Sequence, residues 1–486
     1  MKKSLSFISL ARTIAGIALG LLTLVGCRSE RQVVILSTND IHAAIDNFPR
    51  LATAVAACRD TVDVVLVDAG DRWTGNVFVD RSAEPRRPII DLMNRLGYDA
   101  VTFGNHEFDV GQAYLGKMVG LSDFQVVCAN VVSDTCTFPQ PEPYAIIERN
   151  GVKFGFLGVV TNYSHNDHPD GRDESFVGLT FCDPIERALE LGPELAARCD
   201  VPVLLSHMGG LKDFQFASRP ESSPYSFVIG GHSHQKLDTL VNGLHIGQSL
   251  KNLQYVGAHI MTFKGKKCTA MEFRNIPLAD YDEEPEYAAL VAEIESDPVL
   301  HASAGTLTSR INKVGLADFF IKSALEATGA KVVFYHRGGI RKDALEQGSV
   351  TIADVYNLDP FASRMHNVYM TREQMERMVI AKFNDTKNIG ESHCVDLFSN
   401  VPYTICTDER GEAVSVLFPT LLPGVHYETS LCNYVYENYD DVEYVDIKPD
   451  AAVVTDMLFD YLRRHSPAAF SNDSLQVIRR TAVRDL

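Results

Sequence analysis

DAVTFGNHEFD, at residues 99–109, runs from an apolar, strand-like segment into a turn that carries Asn105, His106 and Asp109. Four other segments share this design: VVILSTNDIH at 33–42, VVLVDAGD at 64–71, VPVLLSHMGG at 201–210 and SFVIGGHSH at 226–234. They end in Asp40 and His42, in Asp71, in His207, and in His232 and His234. In an open α/β sheet, ligands bind beyond the carboxyl ends of the strands, so five such tails can converge on one site. Side chains two apart on a strand point the same way. That spacing predicts that Asp40 with His42, and His232 with His234, each chelate one ion. Gly70, Gly104, Gly230 and Gly231 precede donor positions and let the backbone turn tightly there. One strand-end Asp or His is ordinarily a cap; five in series predict a metal site.

At 486 residues the chain exceeds the size at which one core usually divides, so two domains are expected. The formal net charge of −18 argues against a duplex nucleic-acid partner, which would need a basic face. It does not exclude a small anionic substrate, because bound divalent ions dominate the local field. Lys2 and Lys3 precede an apolar stretch at 14–25 that ends in Leu24-Val25-Gly26-Cys27. The stretch is short for a membrane span and fits a signal segment. Its ending resembles a bacterial lipobox, which implies cleavage before Cys27, acylation of that thiol and a lipid anchor in the membrane. Residues 1–27 are therefore expected to direct the protein to a periplasmic or cell-surface face. Nine cysteines remain, an odd number. Cys128 with Cys136, and Cys394 with Cys406, are close enough in sequence to be bridged, while small buried thiols are the alternative. None has metal-ligand CxxC spacing.

Strand-like runs alternate with helical stretches at 48–59, 88–96 and 185–198, which predicts a layered α/β or α+β domain over residues 31–278. An acidic segment follows, and its core at 285–296 has helical spacing. Residues 279–304 are expected to link this domain to a second one at 305–486. There the pattern predicts a helix at 314–327 ended by Gly329, a strand at 331–335 and a hairpin within DALEQGSVTIADV at 343–355. Thr371-Arg372-Glu373-Gln374 is a capping-box pattern opening a helix through Phe383, and a last helix is expected near 452–464.

Nitrogen and oxygen donors without thiolate suit Mn, Zn or Fe. Asp71, between two donor groups, is the natural bridge. Two ions about 3.5–4 Å apart can share a hydroxide and clamp the attacking and leaving oxygens of an in-line displacement, which favours chemistry at phosphorus. Asp109, three residues after His106, would orient that imidazole as a general acid or charge stabiliser.

DxH, GD, GNHE, a single SH and GHSH, in this order, resemble the calcineurin-like metallophosphoesterases. RGGIR at 337–341, GSVTIADV, DPF and NY with a trailing Asp narrow the resemblance to the 5′-nucleotidase and UDP-sugar hydrolase family, in a bacterial lipoprotein form. The resemblance implies an N-terminal calcineurin-like β-sandwich flanked by helices and a smaller C-terminal α/β 5′-nucleotidase domain. It implies two divalent ions, one held by Asp40, His42, Asp71 and His234, the other by Asp71, Asn105, His207 and His232. His106 and Asp109 match the catalytic pair. Phe361 and Tyr434 match aromatics that stack on the base, and Arg341 and Asp440 match nucleoside contacts. Ala43 replaces a glycine, His336 an asparagine at a base or ribose contact, and Asn438-Tyr439-Asp440-Asp441 a glycine-rich loop, which leaves the leaving group open. The expected reaction is phosphate release from nucleoside 5′-phosphates by a metal-bridging hydroxide. A UDP-sugar or dinucleotide pyrophosphatase and a 2′,3′-cyclic nucleotide phosphodiesterase are alternatives on the same site. A catalytically inactive surface nucleotide-binding protein is more remote, since every donor position is filled. No protein partner is expected.

Overall fold

The computed structural model describes residues 30–134, 137–163, 167–388, 397–439 and 445–480. Cys27 and Asp440 lie outside the described residues, as do Cys136 and Cys394. The chain forms two compact units. The first comprises residues up to Trp73 with Arg87–Glu293; the second comprises Thr74–Arg86 with the residues from Ile294 on.

The first unit is a sandwich of two six-stranded sheets. One is ordered Lys267–Pro277, Tyr255–Lys264, Arg31–Thr38, Asp63–Asp68, Ala100–Thr102, Gln125–Val127. The other is ordered Lys236–Val241, Leu244–Ser249, Phe227–Gly230, Val201–His207, Val152–Val160, Tyr144–Arg149. Successive side chains on a strand face opposite ways, and the central strands are buried on both faces. Val33, Ile35, Val65 and Val67 meet Phe156, Val203, Leu205 and Ile229 between the sheets. Leu157, Leu204 and Val228 face outward into a second cluster, completed by Ile185, Ala188 and Leu195 of the helix Pro184–Arg198. That double burial explains why the parallel strands read as continuous apolar runs. The helices Phe48–Arg59 and Arg87–Leu96 also form where the periodicity puts them. The helix Pro285–Ile294 buries Tyr287 and Val291, and Glu286 pairs with Arg95.

His259 is an anomaly in this core. Its ring is fully buried, stacked 4.0 Å from Phe227, and neither nitrogen has a hydrogen-bond partner among the described residues. Burial, aided by His245, holds the imidazole well below its usual range, so it stays neutral in the fold. Below pH about 6.5 the unfolded chain takes up a proton here that the native state refuses, so stability falls by about 1.4 kcal/mol per pH unit. His259→Phe is expected to remove this component. Chemical denaturation between pH 7 and 5 would show a shallower loss in the variant than in the parent, and parallel curves would refute the assignment.

In the second unit a five-stranded sheet is ordered Leu397–Ser399, Val332–His336, His426–Cys432, Arg364–Thr371, Val445–Val453. It packs with the helices Lys313–Thr328 and Val454–His465 around Phe319, Phe320, Val333, Leu431 and Leu458. Asn312 caps the first helix through the Val314 and Gly315 amides, and Gly329 ends it at φ 73°. Thr371 and Gln374 exchange hydrogen bonds at the start of Arg372–Asn388, as the capping pattern predicts. The hairpin reading of 343–355 needs correction. Ala344–Leu345 pairs with Ile311–Asn312, Gly348–Thr351 pairs with Ser303–Leu307, and Ile352–Leu358 is helical. Thr351 and Asp354 cap that helix reciprocally, which ends the extended run. The periodicity also gave no sign that Thr74–Arg86 belongs here. Val77 and Phe78 cluster with Ala353, and the Val77 amide donates to Asn357 Oδ1 at 2.7 Å.

Candidate metal centre

Every predicted donor lies at the carboxyl end of a central strand of the sandwich. Asp40, Asp71 and Asn105 follow neighbouring strands of one sheet, whereas His207, His232 and His234 end neighbouring strands of the other. Donor atoms of Asp40, His42 and His234 lie within 4.8 Å of one another, and so do those of Asp71, His207 and His232. His42, Asp71 and His106 form a third such group. Asn105 joins through its Oδ1, 3.1 Å from His232 Nδ1.

The strand geometry expected to pair donors two apart is absent. Asp40, His42, Asp71, His232 and His234 all have φ between 48° and 72°, outside any strand. Such left-handed backbone in non-glycine residues costs of order 1–3 kcal/mol each and gathers at functional sites. Asp40 and His42 still converge, because the turn folds both inward. His232 and His234 diverge, one to the group of His207 and the other to the group of Asp40.

A divalent cation fits these residues. His207 Nδ1 lies 2.7 Å from the Ala69 carbonyl and donates there, which turns Nε2 inward. Nε2 is buried with no hydrogen-bond partner among the described residues, 3.2 Å from Asp71 Oδ2 and 3.9 Å from Asp40 Oδ1. Burial acts to lower His207, but Asp71 and Asp40 raise it to about 10, so this nitrogen calls for a positive charge, a proton or a divalent cation. Burial pushes the Asp40 carboxyl up to about 7, with Asp71 adding to the rise and His207 opposing it. Burial also acts to raise Asp71, but the imidazoles of His207, His106 and His42 hold it well below the usual carboxylate range.

A second layer, which the motifs did not reveal as such, holds the donors in place. Glu107 is wholly buried, and it accepts from the amides of Gly104, Asp71 and Arg72 at 2.5, 3.0 and 3.0 Å. It ties the loop of Asp71 to that of Asn105. Its place inside GNHE was the only signal. Arg72, 1% exposed, donates to the Thr102 carbonyl and lies 3.9 Å from both Asp68 and Glu107. Asn39 donates to Asp40 Oδ2 and to the Leu250 carbonyl, both at 2.6 Å. Gly104 is required by contact: a Cβ there would fall 2.1 Å from Asp71 Oδ1. Outer-layer changes typically weaken metal binding 10–100-fold. Glu107→Gln, which puts an NH₂ against backbone amides, is expected to lower Mn²⁺ affinity by about that factor in calorimetric titration. An unchanged affinity would show that Asp71 is held without it.

His106 Nδ1 lies 2.9 Å from Asp109 Oδ2, and the His106 amide donates to Asp71 Oδ1 at 2.9 Å. The His106 ring meets that of His42 edge-on at 5.3 Å. In the second unit His336 stacks on Tyr434 at 4.3 Å, and the Arg341 guanidinium lies 5.4 Å over Phe361. Lys382, which the sequence did not single out, is buried with its ammonium 5.3 Å over the Tyr434 ring. Burial, then Lys382, Arg341 and Lys313, hold His336 well below its usual range, so this imidazole is neutral.

Comparison with known proteins agrees with this anatomy. Residues 33–236 match the calcineurin-like phosphoesterase family, and residues 291–414 match the 5′-nucleotidase C-terminal domain. The chain is 25% identical over 420 residues to the trifunctional nucleotide phosphoesterase protein YfkN of Bacillus subtilis. That match takes in 74% of this chain but only 28% of the far longer relative. It is 23% identical over 513 residues to protein UshA of Yersinia enterocolitica, covering 90% of this chain and 91% of that one. Among solved structures, the 5′-nucleotidase precursor from Thermus thermophilus shares the fold with a TM-score of 0.77 at 18% identity, over 92% of this chain and 99% of that one. The family implies a divalent metal in the centre built by these strand ends. With a phosphoesterase match over the sandwich and a nucleotidase match over the second unit, this chain belongs to the calcineurin-like phosphoesterases that carry a 5′-nucleotidase C-terminal domain.

Proposed function

We propose that the protein is an extracytoplasmic, lipid-anchored phosphohydrolase that releases phosphate from nucleoside 5′-phosphates. The observation that carries this reading is the meeting of seven donor side chains at the strand ends, beside the His106–Asp109 pair. Two divalent ions are proposed, Mn, Zn or Fe, one held by Asp40, His42, Asp71 and His234, and one by Asp71, Asn105, His207 and His232. When bound, such ions supply Lewis acidity and lower the pKa of water to near neutrality. The protein's own residues do the rest. Asp71 spans both donor groups, and its charge is preserved by three imidazoles. Asp109 accepts from His106 Nδ1, which fixes the tautomer and leaves Nε2 to hold or donate a proton toward the phosphoryl oxygens. In the second unit, Phe361 and Tyr434 offer aromatic faces for a base, where stacking is worth about 1–3 kcal/mol. Arg341 and His336, with Asp440, supply the polar contacts.

The test is a phosphate-release screen over nucleoside mono-, di- and triphosphates, UDP-glucose and cyclic nucleotides with added Mn²⁺. Release from adenosine monophosphate is expected. A protein that binds nucleotide, yet binds no metal and hydrolyses none of these, would be a surface binding protein instead.

A further inference from the structure

Lys313 opens the helix Lys313–Thr328, directly after its cap Asn312. A cation there opposes the helix dipole, whose positive end lies at the first turn. Lysine at this position therefore does not serve the helix, and its contacts show what it serves. The ammonium donates to the carbonyl oxygens of Ile340 and Lys342, the second at 3.0 Å, and lies 3.4 Å from Asp343 Oδ1. Those two carbonyls belong to the residues on either side of Arg341. Hydrogen bonds from a charged donor are about twice as strong as neutral ones, and the Lys313 side chain is only 18% exposed.

Two further contacts tie down the same loop. The Arg341 amide donates to the Leu358 carbonyl at 2.9 Å, which joins the loop to the segment ending in Phe361. The Ile340–Arg341 peptide is thus held from both sides, its oxygen by Lys313 and its N–H by Leu358. Downstream, Ala344–Leu345 pairs with Ile311–Asn312, the residues just before Lys313. Arg341 is therefore carried on backbone fixed before and after it, with its guanidinium 5.4 Å over Phe361. Burial, then Lys382, Arg341 and Lys313, keep His336 neutral, so the charge of Lys313 also reaches a second expected nucleoside contact.

We propose that Lys313 is a positioning residue for nucleotide recognition: it holds Arg341 in the orientation that binds the nucleoside, without touching the nucleoside itself. The inference rests on the nucleotide reading of the second unit and adds a residue outside every motif of the sequence. Its physical basis is preorganisation. A group that is in its binding position only part of the time weakens binding by that fraction, and ordering a loop on binding costs affinity. If release of both carbonyls leaves Arg341 in position about one-tenth of the time, affinity falls about tenfold.

The test is calorimetric titration of the whole protein with adenosine, which carries no phosphate to hydrolyse. Lys313→Met keeps the length of the stem and loses the ammonium. It is expected to weaken adenosine binding about fivefold to twentyfold. KM for adenosine monophosphate should rise by a like factor while kcat stays within about twofold. Arg341→Ala supplies the decisive comparison: in that background Lys313→Met is expected to change affinity less than about twofold, since the residue it positions is gone. A lowered melting temperature with adenosine affinity unchanged would make Lys313 purely structural. Equal losses with and without Arg341 would show that it acts elsewhere, and either result overturns the inference. Where Lys313→Met does not fold, Lys313→Gln takes its place, with a neutral NH₂ at shorter reach, and affinity equal to the parent's overturns the inference in the same way. A parent protein that binds no adenosine ends the nucleotide reading and the inference together. A parent and variant that bind it equally end the inference alone.

Discussion

Asp71→Asn is expected to cut phosphate release from adenosine monophosphate by on the order of 10³-fold or more, and to lower bound divalent metal together with it. Among the described residues Asp71 is the one carboxylate that stands in two donor groups, with His42 and His106 on one side and His207 and His232 on the other. An asparagine of equal size leaves one neutral oxygen where two charged ones stood. It leaves the hydrogen bond from the His106 amide intact if its carbonyl takes the place of Oδ1. The lost charge is what matters, since metal-assisted charge stabilisation is worth several kcal/mol and each step of about 1.4 kcal/mol is tenfold in rate. Metal analysis after dialysis, beside the rate, checks the cause. Full metal content with a collapsed rate would make Asp71 a base rather than a bridge, and a retained rate would remove it from the centre.

His106→Ala should show the opposite pattern: turnover lower by about 10²–10⁴-fold with metal content unchanged. His106 is partly open to solvent and bound to Asp109, as expected of a group that handles a proton near the substrate rather than one enclosed around a cation. Its amide, not its side chain, supports Asp71, so alanine keeps that bond. Asp109→Asn should cost less, because it disturbs only the orientation and basicity of the ring. Equal metal loss in His106→Ala would reassign His106 as a ligand, a role its place beside His42 and Asp71 makes chemically open.

The buried strands and the donors at their ends were readable in the sequence because two independent patterns coincide, whereas the two-sheet sandwich came through the family likeness. Runs buried on both faces must be apolar throughout, and donors at their ends have nowhere to be but the strand-end crevice. The family likeness, not the spacing, separated His232 from His234. A period-2 argument pairs them, but both have left-handed backbone outside any strand, so that argument does not apply to them. Glu107 and Asn39 were hidden for a different reason: their work is done through backbone amides and carbonyls, which leave little mark in side-chain spacing. The helix Val77–Asp80 follows Asp71 directly, yet belongs to the second unit through Ala353 and Asn357. Contacts made with residues 280 positions away have no local signature. In that unit His336, Tyr434, Arg341 and Phe361 were singled out one by one through family likeness, and the stacking of His336 on Tyr434 and of Arg341 on Phe361 had no sign in the sequence.

The most direct test is anomalous diffraction from crystals grown with Mn²⁺. Two peaks are expected, one among Asp40, His42, Asp71 and His234 and the other among Asp71, Asn105, His207 and His232. A single peak would reduce the centre to one ion, and manganese bound elsewhere with these side chains bare would contradict the account at its root.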